Sequence, residues 1–174
     1  GTLEDGRPFF VLEYVDGLPV RAYCDDHELP VDARVRLFLD LCRGVGHAHR
    51  RGIVHRDLKP ANVLVVESEG GPLPKIIDFG IAKAIEDDTR AGTLLTRAGD
   101  VVGTPEYMSP EQAGVFEGGV DTRTDVYSLG VILYEILAGH RPYEGKTVVA
   151  LAQQVRQGSP PGIAGVPNTL TVTG

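Results

Sequence analysis

The stretch HRDLKPAN at residues 55–62 decides how the rest of this chain is interpreted. It places a carboxylate (Asp57), an ammonium group (Lys59) and a carboxamide (Asn62) at fixed offsets, and a second carboxylate, Asp78, follows sixteen residues after Asn62. Transfer of a phosphoryl group needs a carboxylate to orient a hydroxyl, a cation near the moving group and oxygen ligands for magnesium. The stretch contains residue types that a phosphoryl-transfer site requires.

The composition excludes several classes of protein. The chain has 174 residues and a formal charge of −7, and its 42% apolar and 24% charged residues are ordinary for a globular domain with a substantial core. The absence of a basic run argues against nucleic-acid binding. No apolar run reaches the ~18 residues of a membrane helix, so we expect no membrane contact from this segment. The two cysteines, Cys24 and Cys42, predict buried free thiols in a reducing compartment.

Hydrophobic patterns predict short strands alternating with helices. The predicted strands cover residues 8–14, 63–66 and 75–77, and the predicted helices begin at Pro30, Thr124 and Lys146. The helix after Pro30 has helically spaced apolar residues at Val35, Phe38, Leu39, Cys42 and Val45. Its arginines, Arg34 among them, are expected mostly at the surface. The helix at 124–138 is apolar nearly all round, including Val126, and is expected to be the buried centre of the domain.

Two further motifs turn these observations into a resemblance. Asp78-Phe79-Gly80 follows a predicted strand, and GTPEYMSPE occupies residues 103–111. Together with HRDLKPAN they make the chain resemble the catalytic core of serine/threonine protein kinases, in particular the bacterial eukaryotic-like (Hanks-type) members. The resemblance implies an α+β, protein-kinase-like fold, mainly the helical large lobe with the hinge and the last small-lobe strand. We expect a partial kinase domain at residues 1–158 and a Pro/Gly/Thr-rich tail of undefined structure at 159–174.

The resemblance assigns roles to the polar residues of the motifs. It implies that Asp57 is the catalytic base and that Lys59 is the cation beside the transferring phosphoryl group. Asn62 and Asp78 are the expected ligands of Mg²⁺, which prefers hard oxygen donors. Thr104 is expected to bond the catalytic Asp57 and Lys59, and together with Lys59-Pro60 it favours serine or threonine as the acceptor.

Other residues are expected to bind ATP, to regulate or to support the site. The resemblance implies a main-chain hinge for adenine at Glu13 to Val15, a gatekeeper at Leu12 and an adenine-covering side chain at Leu64. Residues implied to support the structure are His55, Phe79, Gly80, Glu111 and Asp125. Of these, Asp125 is expected to bond backbone N–H groups of the catalytic loop, and Glu111 to pair with an arginine late in the domain.

An activation switch is also implied. In the family, an arginine at the position of Arg56 marks kinases that are activated by phosphorylation of the activation loop, because a guanidinium binds a phosphate through two hydrogen bonds. Thr89, Thr93 and Thr96 are candidate acceptors, with Thr96 preferred and Thr93 next.

The resulting hypothesis is a non-specific serine/threonine protein kinase that uses ATP and Mg²⁺, phosphorylates protein substrates and self-associates for autophosphorylation. It places the chain in the cytoplasm, alone or as the cytoplasmic domain of a membrane-anchored kinase. The family's Gly-rich phosphate loop, strand lysine and helix glutamate do not occur in these residues. The final helices of the family's large lobe are also expected to be missing, so we expect the chain to be truncated at both ends. Two alternatives stay open: an inactive pseudokinase or scaffold, and a small-molecule phosphotransferase of kinase-like fold.

Overall fold

The computed structural model describes residues 1–3, 5, 7, 9, 11–79, 105–112, 120–145, 148–157 and 160–163. The described strands are β1 (Leu18–Pro19), β2 (Val63–Val66) and β3 (Leu73–Ile76). The described helices are α1 (Val20–Asp26), α2 (Val31–His49), α3 (Thr122–Ala138) and α4 (Val148–Gln157), and 3₁₀ turns occur at Pro60–Asn62 and Pro105–Tyr107. A small antiparallel sheet combined with helices confirms the predicted α+β class.

The three strands pair in the order β1-β2-β3, with β2 in the centre. Val63 and Val65 of β2 are 0% and 2% exposed, which is the two-residue period of a strand with one buried face. The chain enters β1 very close to this strand, because a Cβ atom on Gly17 would lie 2.7 Å from the carbonyl oxygen of Val65. Glycine at residue 17 therefore permits the approach that brings the N-terminal segment to the sheet.

The hydrophobic core is formed largely by α2, α3 and the inner face of β2. The buried face of α2 consists of Leu37, Leu41, Val45 and Ala48. The α3 residues in the core cluster are Leu129, Ile132 and Ile136. These spacings of three and four residues place the side chains on one face of each helix. The predicted stripe of α2 is wrong at Leu39, which is 48% exposed, because the face that meets the core is centred on Leu37 and Leu41.

Helix α3 begins close to the predicted residue, but the residues buried in its first turn differ from those predicted. Val126 is 60% exposed, whereas Thr124 and Asp125 are completely buried. Both polar side chains are hydrogen-bonded in the interior, which removes most of the cost of burying them. The apolar pattern was therefore a poor guide to this turn, because the buried positions are taken by polar residues with partners on other segments.

Arg34 is the clearest error of the surface prediction. Its guanidinium donates to the main-chain carbonyl groups of Leu29 (2.7 Å), Ile136 (2.7 Å) and Cys24 (3.0 Å). Cys24 belongs to α1, and Ile136 lies near the end of α3. Carbonyl groups at helix ends lack partners within the helix, and the several donors of a guanidinium can satisfy more than one of them. Arg34 thus ties α2 to the C-terminal ends of two other helices.

Replacement of Arg34 by lysine is expected to lower the free energy of unfolding by about 2–3 kcal/mol, because an ammonium group cannot span the separated carbonyl groups and leaves some unpaired. Urea unfolding followed by circular dichroism measures this change. The matched control is Arg36→Lys on the same helix, where the side chain is 68% exposed and pairs with Asp32 at the surface. Equal losses for the two variants would contradict the role assigned to Arg34.

Three other local predictions need correction. The predicted strand at 8–14 is not formed by the described residues 9 and 11–14, and the strand predicted at 75–77 instead spans Leu73–Ile76. Helix α1 was not predicted. Its seven residues are too few to be stable alone, and it is held by the burial of Val20, Tyr23 and Cys24 in the core.

The cysteines are free thiols, as predicted. Cys24 is buried and Cys42 is half-buried, and burial raises the pKa of each thiol. Within the part of the chain that the structure describes, no helix combines the length and apolar character needed to cross a membrane.

Candidate active site

The three polar groups of HRDLKPAN form one cluster. Lys59 Nζ lies 2.8 Å from Asp57 Oδ2. Asn62 Nδ2 donates to the main-chain oxygen of Asp57 (2.9 Å) and, at 3.2 Å, to its Oδ2. The Asp57 side chain is nevertheless 52% exposed. The carboxylate is therefore held by an ammonium and an amide group while it remains accessible from solvent.

Apolar residues between these polar ones anchor the loop. Leu58 is completely buried in the hydrophobic core. Pro60 is also buried and starts the 3₁₀ turn that ends at Asn62, a position where its fixed φ angle and missing N–H group are tolerated. The alternation of buried and accessible residues leaves Asp57 on the outer side of the loop.

Asp125 binds the start of this loop from the interior of the domain. Its completely buried carboxylate accepts hydrogen bonds from the backbone N–H groups of His55 and Arg56, each at 2.9 Å. His49 Nε2, at the end of α2, lies 2.7 Å from the same carboxylate. Arg56 has a φ angle of +68°, a left-handed conformation that is costly for a residue with a side chain. The two backbone hydrogen bonds stabilise the loop in this conformation.

His55 connects the loop to the segment around Asp78. Its Nδ1 accepts from the N–H of Asp57 (3.2 Å), and its Nε2 donates to the carbonyl of Ile77 (2.9 Å). Both bonds are satisfied by the neutral tautomer that is protonated at Nε2. The ring of Phe79 packs on the imidazole, with 4.8 Å between the ring centroids. His55 and Phe79 therefore contact each other inside the site, where they align two segments.

Asp78 is brought next to Asn62 by the main chain. The N–H of Ile77 donates to the carbonyl of Asn62 (3.0 Å), so the residues before and at Asp78 run beside the end of the HRDLKPAN stretch. Asp78 itself is exposed and has a φ angle of +56°. The carboxamide and the second carboxylate of the sequence motif thus lie on adjacent segments.

Side-chain hydrogen bonds attach the segment 105–112 to α3. Ser128 Oγ donates to the carbonyl of Tyr107, and Thr124 Oγ1 donates to Glu111 Oε1, both at 2.8 Å. Burial raises the pKa of Glu111, but hydrogen bonds from its own backbone, Thr124 and Ser109 outweigh burial and leave the pKa below its usual value. The expected arginine partner of Glu111 is not among these contacts.

Comparison with known proteins identifies the family. The sequence profile of the protein kinase domain matches residues 3–164. The chain belongs to the protein kinase family. It is 44% identical over 158 residues to the serine/threonine-protein kinase Pkn1 of Myxococcus xanthus, an alignment that covers 89% of this chain and 22% of that protein.

Two further relatives give the same picture. The chain is 42% identical over 148 residues to the serine/threonine-protein kinase PknB of Mycobacterium leprae, covering 84% of this chain and 22% of the relative. It is 42% identical over 164 residues to the serine/threonine-protein kinase pkn3 of Myxococcus xanthus, covering 92% of this chain and 29% of that relative. The chain therefore spans less than a third of the length of these kinases. The predicted resemblance to bacterial serine/threonine kinases is confirmed.

The kinase family implies ATP and, usually, Mg²⁺, and the donor set fits this ion. The amide nitrogen of Asn62 is engaged by Asp57, which leaves the carboxamide oxygen as the group that can bind a cation. The carboxylate of Asp78 supplies a second hard oxygen. Magnesium is typically held by one or two protein groups together with phosphate oxygens. Over the described residues, no group of three or more His, Cys, Asp or Glu side chains could hold a metal ion.

Of the residues predicted to form the hinge, Glu13 contacts the sheet. Glu13 Oε1 accepts from Lys75 Nζ on β3 (2.7 Å), and Lys75 pairs with Leu64 of β2 across the sheet. Leu64 is half-buried, as is Val15. The structure thus brings Glu13 and Leu64 to the same sheet, whereas Leu12 is 58% exposed.

Sequence reasoning missed an ionic cluster around a buried glutamate that contacts the segment 105–112 through Tyr107. Glu135, in the last turn of α3, is 3% exposed and accepts hydrogen bonds from Arg21 and from the hydroxyl of Tyr107. Burial and the bond to Glu135 raise the pKa of Tyr107, and the bond to Glu135 raises that of Arg21. A carboxylate within the apolar run at residues 129–137 was the available signal, because such groups are rarely buried without a partner.

A second missed pair joins Glu106 and Arg141 at 2.8 Å, so this arginine pairs with Glu106 and not with Glu111. Five residues predicted to belong to the site or to its regulation lie outside the residues that the structure describes: Gly80, Thr89, Thr93, Thr96 and Thr104.

Proposed function

We propose that the complete gene product containing this chain transfers the γ-phosphoryl group of ATP to serine or threonine hydroxyl groups of protein substrates. The observation that carries this proposal is the cluster of Asp57, Lys59 and Asn62, in which the carboxylate is paired and yet accessible. Membership of the kinase family and the names of the relatives support the same reaction class.

Each residue of the cluster has a chemical task in this proposal. Asp57 accepts a hydrogen bond from the substrate hydroxyl, aims its oxygen at the phosphorus atom and receives its proton. Lys59 offsets negative charge that develops near the transferred group. Asn62 and Asp78 would hold Mg²⁺, which, when bound, neutralises charge on the phosphate oxygens. Asn62 also keeps the carboxylate of Asp57 in place through its amide nitrogen.

The choice of serine or threonine over tyrosine rests on sequence. Lys59-Pro60 and Thr104 occur in the serine/threonine pattern of the resemblance, and the relatives are serine/threonine-protein kinases. Within the chain we propose residues 1–158 as the kinase domain and 159–174 as a tail. We also propose self-association for autophosphorylation.

Incubation of the complete gene product with Mg²⁺, radiolabelled ATP and casein tests the function. We expect phosphoserine and phosphothreonine in casein, without phosphotyrosine. Nucleotide binding without transfer would indicate a pseudokinase. Transfer to small hydroxyl compounds but never to protein would indicate a small-molecule phosphotransferase, and either outcome would contradict the proposal.

We also propose regulation through Thr96, with Thr93 as the second acceptor. A phosphate on this loop would supply oxygen atoms for a charge-assisted pair with Arg56, which directly precedes Asp57. Thr96→Ala is expected to lower kcat about tenfold, the scale of one hydrogen bond to a charged group. Phosphatase treatment of the unmutated protein should produce the same decrease and should not affect Thr96→Ala further. An unchanged kcat in Thr96→Ala and in the matched variant Thr93→Ala would exclude both sites.

A further inference from the structure

Arg56 is held at both of its peptide groups by side chains from different segments. Its N–H donates to Asp125 Oδ1 (2.9 Å), and its carbonyl accepts from Gln112 Nε2 (2.6 Å). The residue between these two bonds has the left-handed φ angle of +68°. Such a backbone conformation persists when its surroundings determine it from more than one side.

The orientation of the Gln112 amide is determined by its two ends. Its Oε1 accepts from the N–H (3.1 Å) and from the hydroxyl (3.3 Å) of Ser109, and its Nε2 donates to Arg56. Reversing the amide would place a donor against the Ser109 N–H and an acceptor against a carbonyl. Only the observed orientation satisfies both ends, so the donor is directed at the catalytic loop.

Ser109 joins this amide to the core. It is completely buried, and its hydroxyl lies 3.3 Å from Thr124 Oγ1 on α3. Gln112 is thus linked at its oxygen end, through the buried Ser109, to the first turn of α3. The nitrogen end reaches a loop that lies 56 positions earlier in the chain.

The carbonyl that Gln112 binds belongs to the peptide unit that joins Arg56 to Asp57. Because a peptide unit is planar, fixing the direction of this carbonyl also fixes the N–H of Asp57, which donates to His55 Nδ1 (3.2 Å). The same constraint sets the position from which the Asp57 side chain departs. A small rotation of this plane would move the carboxylate away from the hydroxyl it is meant to orient.

We propose that Gln112 is a positioning residue for Asp57, a role that rests on the proposed function of Asp57 as catalytic base. It couples the placement of the segment 105–112 to the alignment of the catalytic carboxylate. Gln112 does not touch the substrate or the nucleotide in this role. It acts through the Arg56–Asp57 peptide.

The test uses two variants of the complete gene product. Gln112→Glu keeps an oxygen for Ser109 but removes the donor to Arg56, and Gln112→Met removes both interactions without adding charge. We expect both to lower kcat by about 10–100-fold, the scale of a small misalignment of a reacting group, with unchanged KM values for ATP and protein substrate. The matched control is Gln154→Glu in α4, which removes an exposed hydrogen bond from the side-chain amide to the carbonyl of Glu144 (2.7 Å) and should leave kcat unchanged.

The outcomes separate this inference from the proposed function. A kcat of Gln112→Glu equal to that of Gln154→Glu would overturn the positioning role, as would a loss of activity that only matches the unfolded fraction in thermal unfolding. A parallel fall in kcat for both Gln112 variants, with the protein folded, supports it. Absence of phosphotransfer by the unmutated protein would instead overturn the proposed function on which the inference rests.

Discussion

Replacing Asp57 with asparagine is expected to lower kcat for phosphotransfer by about 10²–10⁴-fold, the contribution of a positioned general base. Asparagine has the same shape but cannot accept the hydroxyl proton. The fold should be unaffected, because the side chain is 52% exposed and its partner Lys59 lies within the same loop. Steady-state kinetics with the complete gene product, together with thermal unfolding, measures both quantities.

The control for this experiment is Asp32→Asn. Asp32 is also an aspartate paired with a basic side chain, Arg36, at 3.0 Å, but it lies on the exposed face of α2. Its replacement should leave kcat unchanged. The affinity for ATP should be similar in both variants, since the proposed nucleotide contacts lie elsewhere. An undiminished kcat for Asp57→Asn would remove Asp57 from the proposed mechanism.

Replacing Asp125 with alanine is expected to lower the free energy of unfolding by about 3–5 kcal/mol, the largest loss of stability among the variants proposed for this protein. Asp125 is completely buried and accepts from the backbone N–H groups of His55 and Arg56, with His49 Nε2 2.7 Å away. Alanine leaves these donors without their acceptor in the interior. Unfolding in urea measures the change, and a midpoint shift without a change in slope indicates an effect on the native state.

The matched control for this variant lies at the start of the same helix. Asp121 caps α3 by accepting from the N–H of Arg123 (2.8 Å), but it lies near the surface. Asp121→Ala should therefore destabilise the protein less than Asp125→Ala. We also expect kcat of the folded fraction of Asp125→Ala to fall, because Arg56 loses one of the bonds that hold its left-handed conformation. Equal losses of stability in Asp121→Ala and Asp125→Ala would contradict the proposal that burial of Asp125 makes its replacement more destabilising.

Much of the site could be predicted because its members are close in sequence. The three polar residues lie within six positions of the chain: Asp57, Lys59 and Asn62. A short loop that buries Leu58 brings their side chains together, whatever the position of the loop in the domain. Helices α2 and α3 were predicted close to their observed limits, α2 because its apolar residues recur with helical spacing and α3 because it forms a long run that is apolar nearly all round. Both successes depend on local order along the chain.

The errors concern partners that are distant in sequence. Arginine is usually a surface residue, and nothing in the sequence indicated that the guanidinium of Arg34 binds the carbonyl of Ile136. Gln112 gave no signal for its bond to the carbonyl of Arg56. Val126 and Leu39 satisfy the apolar patterns and are exposed nonetheless, because a pattern shows which side of a helix is apolar only to within about one residue.

The amino-acid sequence by itself determined the kinase family, the principal helices and the chemical groups of the proposed reaction, since motif spacing and hydrophobic period are properties of neighbouring residues. Only the tertiary structure decided how these groups are held. Asp125 and Gln112 bind the two sides of Arg56 from segments 69 and 56 positions away. The physical reason is that a buried polar group must find a partner, and packing of the whole domain determines which residue that partner is.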